Sequence, residues 1–356
     1  MRFCLDLTHH PWARADDPVA AAAKTIALAA AADAGGIDAI WVSEDPEGWD
    51  AFALLGALAA VTTRAELGTG VTSPFPRHPN LLAAAVATLD RLSGGRAVLG
   101  LGRGQPEWWG GPLGVNTGSP LAALEATIEL CRAWWEAPFR ASSTRVGSPF
   151  RVVDWERVIG PVRRPPIYLA AAGPEALALA GRLAEGVIFN ALTSEAVLTE
   201  VIPDVRGAAH RAGRDQANLA FVLRTAVKIT DDPRLYLEQQ KNLFALINAL
   251  PGMDRLVRVP GYDGPAIMAE VRRAMRSDVG LAAGGFPGLR RVADLEAARA
   301  AIPDGLIARL AIVGPLPEVR SRIARLAEIG VTHLSVAAPV AGTAEAFRQL
   351  VEDLGG

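Results

Sequence analysis

The sequence predicts a (β/α)8 barrel of the TIM type, and three observations predict it. Eight short aliphatic and β-branched runs alternate with helical stretches along 356 residues, an order that calls for parallel strands joined by crossover helices. Eight such units favour a closed barrel over an open sheet. The final run, at 332–337, then has the first as its natural neighbour, so one domain over 1–356 is expected, with a helical insertion at about 231–303.

Each element has a local reason. The run at 3–7 (F-C-L-D-L) is strand one, followed by Thr8-His9-His10-Pro11. Pro18 suits a first helical turn, and the alanine-dense stretch it opens stops at Gly35-Gly36. Strand two is 38–43, ending in Glu44-Asp45-Pro46, and a helix over 52–61 leads to strand three, E-L-G-T-G-V. Pro79 opens the next helix, strand four is 97–101, and a helix runs over about 120–136. Residues 138–166 lack helical period and predict an excursion with short strands. Strand five is 166–171, its helix ends near 183, strand six is 186–190, a helix reaches 211, and strand seven is 219–229. The insertion carries helical pattern at 235–250 and 267–275 and a Gly/Pro-rich segment at 284–288. A helix at 317–329, strand eight at 332–337 and a helix at 345–354 close the chain.

Composition narrows the function classes. Half of the residues are apolar, 21% are charged and the formal net charge is −2, so nucleic acid is not the expected partner. The apolar tracts are interrupted, as at Lys24 and Asp33, and no segment reads as a membrane span or a secretory signal. A cytoplasmic protein is the expectation. Cys4 and Cys131 read as core residues, and the five histidines form no metal-ligand cluster.

In barrels of this kind, chemistry sits at the carboxyl ends of strands. That rule selects Asp6, His9 and His10 after strand one, and Glu44 and Asp45 after strand two. It selects Thr69, Gly70, Val71 and Thr72 after strand three, and Gly102, Arg103, Gly104, Gln105 and Glu107 after strand four. Ala171, Ala172 and Gly173 follow strand five, Asn190 follows strand six, and Arg224 lies on strand seven. Strands three and four both end in glycines, which implies backbone that approaches something flat or anionic closely. Gln105 stands where a third glycine of G-x-G-x-x-G would be, so no dinucleotide fingerprint is present. The A-A-A-G-P-E turn places small residues and Pro174 at a helix start, where free N–H groups and the helix dipole face an anion.

Three stretches carry a resemblance to a known family: L-G-T-G-V-T-S-P-F-P-R-H-P, then L-D-R-L-S-G-G-R-A-V-L-G-L-G-R-G, then P-I-Y-L-A-A-A-G-P-E-A. In this order they resemble the bacterial luciferase-like superfamily, and within it the coenzyme F420-dependent branch typified by methylenetetrahydromethanopterin reductase. The resemblance implies a cis peptide at Gly70-Val71, in a bulge that backs the deazaflavin ring. It implies a phosphate site at Ala171, Ala172 and Gly173, with Gly102, Arg103, Gly104 and Gln105 on the other side of the cofactor and Asp45, Thr69, Thr72 and Asn190 nearby. It also implies a small-molecule substrate and a homodimer, for which the Ala-rich helices after strands one to three offer an apolar face. Deazaflavin has carbon where flavin has its reactive nitrogen, so hydride transfer is its natural chemistry.

The sequence departs from the family's pattern at Asp45, where hydride-transferring relatives often carry histidine, and at Gln105, where an acid is common. Asp6, His9, Glu44 and Glu107 are the candidates for handling protons. Asp6 has two readings, a proton source or a partner for an internal Arg such as Arg224. His9 either lines the mouth or is a solvated loop residue, and Arg103 either meets the cofactor or pairs with a carboxylate. Trp12, Trp49, Trp108 and Trp109 suit an aromatic wall for a flat substrate or an interface, whereas Trp134 and Trp135 read as packing and His78 as a helix start. Two further readings fit the same turns: an FMN-dependent monooxygenase using reduced flavin and oxygen, and a flavin-binding or deazaflavin-binding relative without catalysis.

Overall fold

The structure is a computed structural model that describes residues 1–8, 10–13, 15–44, 48–104, 109–110, 113–136, 140–143, 150–250, 252–337 and 344–354. Eight parallel strands close into a barrel: β1 (Arg2–Leu7), β2 (Ala39–Val42), β3 (Glu66–Thr69), β4 (Ala97–Leu101), β7 (Ile167–Ala170), β8 (Gly186–Phe189), β9 (Ala220–Thr225) and β12 (His333–Ala337). The last strand pairs with the first, Cys4 opposite Ser335 and Asp6 opposite Ala337. The predicted fold class is therefore the observed one.

Strand periodicity sorts the side chains. In β1, Phe3, Leu5 and Leu7 join the large core between sheet and helices, while Cys4 joins Ala39, Trp41, Val98, Tyr168, Ile188, Ala220 and Val222 inside the barrel. Trp41 is 2% exposed and lies 5.7 Å from the Tyr168 ring. The barrel is thus a packed core with a floor, not a pore. A Cβ on Gly68 would sit 2.5 Å from the Trp41 ring, so glycine there is what admits the indole.

Helix starts are capped as the sequence dictates. Asp17, Asp50, Ser119 and Ser194 accept hydrogen bonds from backbone N–H groups of the helices they precede. His78 does the same for the helix Pro79–Leu92, as a helix-start residue should. Cys4, Cys131, Trp134 and Trp135 are buried.

Two expectations need correction. The run read as one strand at 219–229 is two. β9 stays in the barrel, whereas β10 (Val227–Ile229) leaves it to pair with β11 (Ile312–Gly314). Only Arg224 and Thr225 interrupt the apolar residues over 219–227, and no glycine or proline marks the change of partner. The Gly/Pro-rich stretch at 284–288 opens the helix Gly285–Val292. Its glycines serve close packing: a Cβ on Gly288 would lie 2.2 Å from the Gly280 carbonyl oxygen, and one on Gly280 would lie 2.6 Å from Leu289 Cα. The second concerns the glycine-bearing rims at the carboxyl ends of β3 and β4. Between β10 and β11, six helices from Arg234–Asn248 to Asp304–Leu310 build a second apolar core around Phe244, Val271, Met275, Leu306 and Ile307. The excursion after the helix Pro120–Trp135 contains an antiparallel pair, β5 (Arg140–Ser143) and β6 (Val152–Glu156).

Candidate active site

At the carboxyl end of the barrel, the turn 70–72 is bonded on both sides. The Gly70–Val71 peptide is cis, as the family resemblance implies. Toward β4, Thr72 N–H donates to the Gly100 carbonyl at 3.0 Å, and Gly102 N–H donates to the Thr72 carbonyl at 2.8 Å. Toward β2, Glu44 N–H donates to the Val71 carbonyl at 3.4 Å, and the Glu44 carboxylate accepts from the Thr72 hydroxyl. Glu44 also accepts from Arg77 Nη1 at 2.5 Å. Its side chain, 9% exposed, is bound into the wall by these contacts. By these contacts Glu44 anchors the turn.

The glycines of the two rims are used by the chain itself. A Cβ on Gly70 would meet Trp41 at 2.8 Å, one on Gly100 would overlap the Thr69 carbonyl oxygen at 1.8 Å, and one on Gly102 would meet Val71 at 2.8 Å. They let β3, its turn and β4 close on one another, rather than leaving room for a ligand directly. Gly104, at φ +63°, lies against the Trp109 indole. Thr69 is fully buried and its hydroxyl donates to the Gly100 carbonyl at 2.6 Å, so it stands behind the rim. Facing the mouth from above Trp41 are the half-buried Val71 and Ala170.

On the opposite arc, Arg224 Nε donates to Asp6 Oδ2 at 2.7 Å. Asp6 is thus the ion-pair partner of an internal arginine, the second of its two sequence readings, at a position 4% exposed. The cation replaces the poorly solvated setting expected of an isolated acid.

The small-residue turn at 171–173 leads into the helix Pro174–Leu183, whose N-terminus carries no side-chain cap among the described residues. A Cβ on Gly173 would meet only the Arg255 guanidinium, at 3.4 Å. Arg255 is exposed and comes from the 3-10 turn Met253–Leu256 of the insertion. Beside it, Asn190 accepts from Ala191 N–H at 2.8 Å and donates to Met253 Sδ at 3.3 Å. Open backbone donors, a helix start and a guanidinium are the donor set that suits a phosphate. Sequence reading missed Arg77, Arg255 and Met253. The only trace of Arg77 was its place in the R-H-P string, and the other two lie where the pattern loosens.

The aromatic wall is only partly formed. Trp12 and Trp49 meet edge to face at 4.9 Å, and Trp49 donates to the Ser43 carbonyl at 2.7 Å. Trp109 is 4% exposed and packs on Phe75, which corrects its reading as a wall residue. Half-buried Arg103 lies on the rim between Gly102 and Gly104. His9, Asp45, Gln105, Glu107 and Trp108 lie outside the described residues.

A cavity of about 320 Å³ opens at the other end of the strands, lined in part by Arg2, Asp38, Arg64, Glu66, Arg96 and Arg163. Arg2 is held there by Asp38 at 3.1 Å and Glu66 at 3.4 Å, and it also meets the His333 ring at 3.0 Å. Burial, with Arg2 beside it, pushes the His333 imidazole down to about 4. This ionic cluster ties the amino ends of the strands together, away from the rim where barrel chemistry is done.

Fold and rim together define a barrel whose carboxyl-end mouth combines an internally braced cis turn with an open anion-binding turn. The family model described as luciferase-like monooxygenase matches residues 1–333, and the chain belongs to that family. A 5,10-methylenetetrahydromethanopterin reductase of Methanolobus tindarius is 26% identical over 336 residues, 94% of this chain and 95% of that protein. A protein of Mycobacterium tuberculosis described as a coenzyme F420-dependent oxidoreductase is 30% identical over 341 residues, 91% of this chain and 92% of that one. Among solved structures, the coenzyme F420-dependent tetrahydromethanopterin reductase of Methanopyrus kandleri superposes with a TM-score of 0.76 at 22% identity, covering 99% of this chain and 98% of that one.

Proposed function

We propose that this chain is an F420-dependent oxidoreductase that moves a hydride between coenzyme F420 and a small organic substrate. The observation that carries it is the uncapped start of the helix Pro174–Leu183 with Arg255 beside Gly173, at the mouth of a luciferase-like barrel. The names of the relatives from Methanolobus tindarius and Mycobacterium tuberculosis support the choice of cofactor.

The backbone of Ala171, Ala172 and Gly173, with Arg255, would hold the cofactor's phosphate. Val71 and Thr72 would back its ring, and Gly102, Arg103 and Gly104 would face it from the β4 rim. When bound, the deazaflavin supplies a carbon that carries two electrons as hydride. The chain's own task is to hold both reactants in contact and keep water out. The Asp6–Arg224 pair puts a fixed dipole at the mouth that orients a polar substrate group. His9, Asp45, Gln105 and Glu107 belong to the same proposal as mouth residues, as do the cytoplasmic location and the homodimer.

Titration of the purified protein with F420 and with FMN, each oxidised and reduced, tests this by quenching of cofactor fluorescence. Saturable F420 binding with hydride exchange to an alcohol, enone or imine is the expected result. Tight FMN binding with no F420 response overturns it in favour of reduced-flavin oxygen chemistry, since the 171–173 turn serves either phosphate.

A further inference from the structure

We propose that Arg77 is a positioning residue for the cofactor-facing turn 70–72, acting through Glu44; this rests on the cofactor reading given above. Arg77 follows the turn in sequence and bridges two anions. Its Nη1 donates to Glu44 at 2.5 Å, its Nη2 donates to Asp50, and its guanidinium lies 5.0 Å from the centre of the Phe52 ring. Asp50 is itself fixed, because it accepts from Ala53 N–H at 2.9 Å as the cap of the helix Ala51–Val61. A chain of contacts therefore runs from a helix end through Arg77 and Glu44 to the hydroxyl of Thr72.

A carboxylate 9% exposed keeps its place only while its charge is compensated. Without Arg77, Glu44 retains the Thr72 hydroxyl as its side-chain partner and gains by swinging toward water. The turn then loses the carboxylate that braces Thr72 and keeps its backbone bonds, to Gly100 and Gly102 on the β4 side and from Gly70 N–H to the Val42 carbonyl on the β2 side. The barrel strands are untouched, so the fold survives while the surface presented to the ring relaxes. Lysine restores the charge without the planar fork that spans two carboxylates, and so rescues only part of the effect.

The test compares wild type, Arg77→Ala, Arg77→Lys and Asp50→Asn. Each is assayed for F420 dissociation constant, for thermal midpoint and, without cofactor, by crystallography. Arg77→Ala is expected to raise the dissociation constant about tenfold, with Arg77→Lys in between, and to shift residues 70–72 while the melting temperature moves little. Should Arg77→Ala fold poorly, Asp50→Asn keeps the helix cap and removes the ionic anchor, and a weaker rise is expected from it. An unmoved turn with Thr72 still on Glu44, or unchanged affinity in both Arg77→Lys and Asp50→Asn, overturns the inference. A wild type blind to F420 counts against the function proposed above, and the cofactor-free crystal structures then still decide the role of Arg77.

Discussion

Arg224 reaches Asp6 at 2.7 Å across the intervening strand β12, so the barrel mouth is crossed by one ion pair that joins its first and seventh strands. Removing the arginine leaves a carboxylate at a 4% exposed position without its guanidinium. Arg224→Ala is expected to cost about 3 kcal/mol of stability. The double substitution Asp6→Asn with Arg224→Met is expected to recover part of that. Denaturant melts of Arg224→Ala, Asp6→Asn, Arg224→Met and the double variant check this, and additivity of Asp6→Asn with Arg224→Met would show that the two residues are not coupled.

His333 gives the fold an acid-sensitive term. Its imidazole titrates near 4 when folded and near its ordinary 6.5 when unfolded. Between those values the unfolded chain binds more protons, so stability rises with pH. The contribution is complete above 6.5 and is lost as pH falls through 4. Unfolding midpoints measured at intervals across that window should decline more steeply for wild type than for His333→Gln.

Trp41 is the plug on which the mouth rests. Trp41→Ala opens a cavity under Val71 and Ala170 and is expected to cost about 3–5 kcal/mol. Gly68→Ala attacks the same contact from the other side, with a Cβ 2.5 Å from the indole. Thermal melts should show both destabilised, and Trp41→Phe much less so.

Arg255 offers an electrostatic prediction that is independent of packing. As an exposed cation beside Gly173, its replacement by alanine should weaken F420 binding by about fivefold at low ionic strength. That loss should shrink as salt is added, because the charge is open to screening. A salt-independent loss would point to a contact other than phosphate.

The barrel was legible because its strands are short apolar runs, those at β3, β4 and β7 ending in glycine or a small-residue turn. Several helices announce themselves through an Asp, Ser or His cap, followed by proline at Pro18, Pro79 and Pro120. The partner change after Thr225 was not legible, since no glycine, proline or turn residue separates β9 from β10. Glu44 was legible as a rim residue but not as an anchor, because its cation lies 33 residues further along the chain. The glycines misled in a specific way. A missing Cβ reads as room for something, and only the packed structure shows that Trp41, Thr69 and Val71 occupy it. Arg255 was hidden by its setting, a short 3-10 turn in a stretch where neither helical nor strand period holds.

The small parallel pair of β10 with β11 fastens the entry and exit of the insertion side by side, Val227 opposite Ile312. The largely helical residues 230–311 therefore begin and end about one strand spacing, roughly 4.8 Å, apart. To the rest of the molecule this segment is a bead on a closed clasp. Beyond the clasp it touches the barrel mainly through the stretch after β8, where Ser194 N–H donates to the Leu256 carbonyl at 3.0 Å and Asn190 meets Met253, so a change inside the insertion is felt first at that one edge of the mouth.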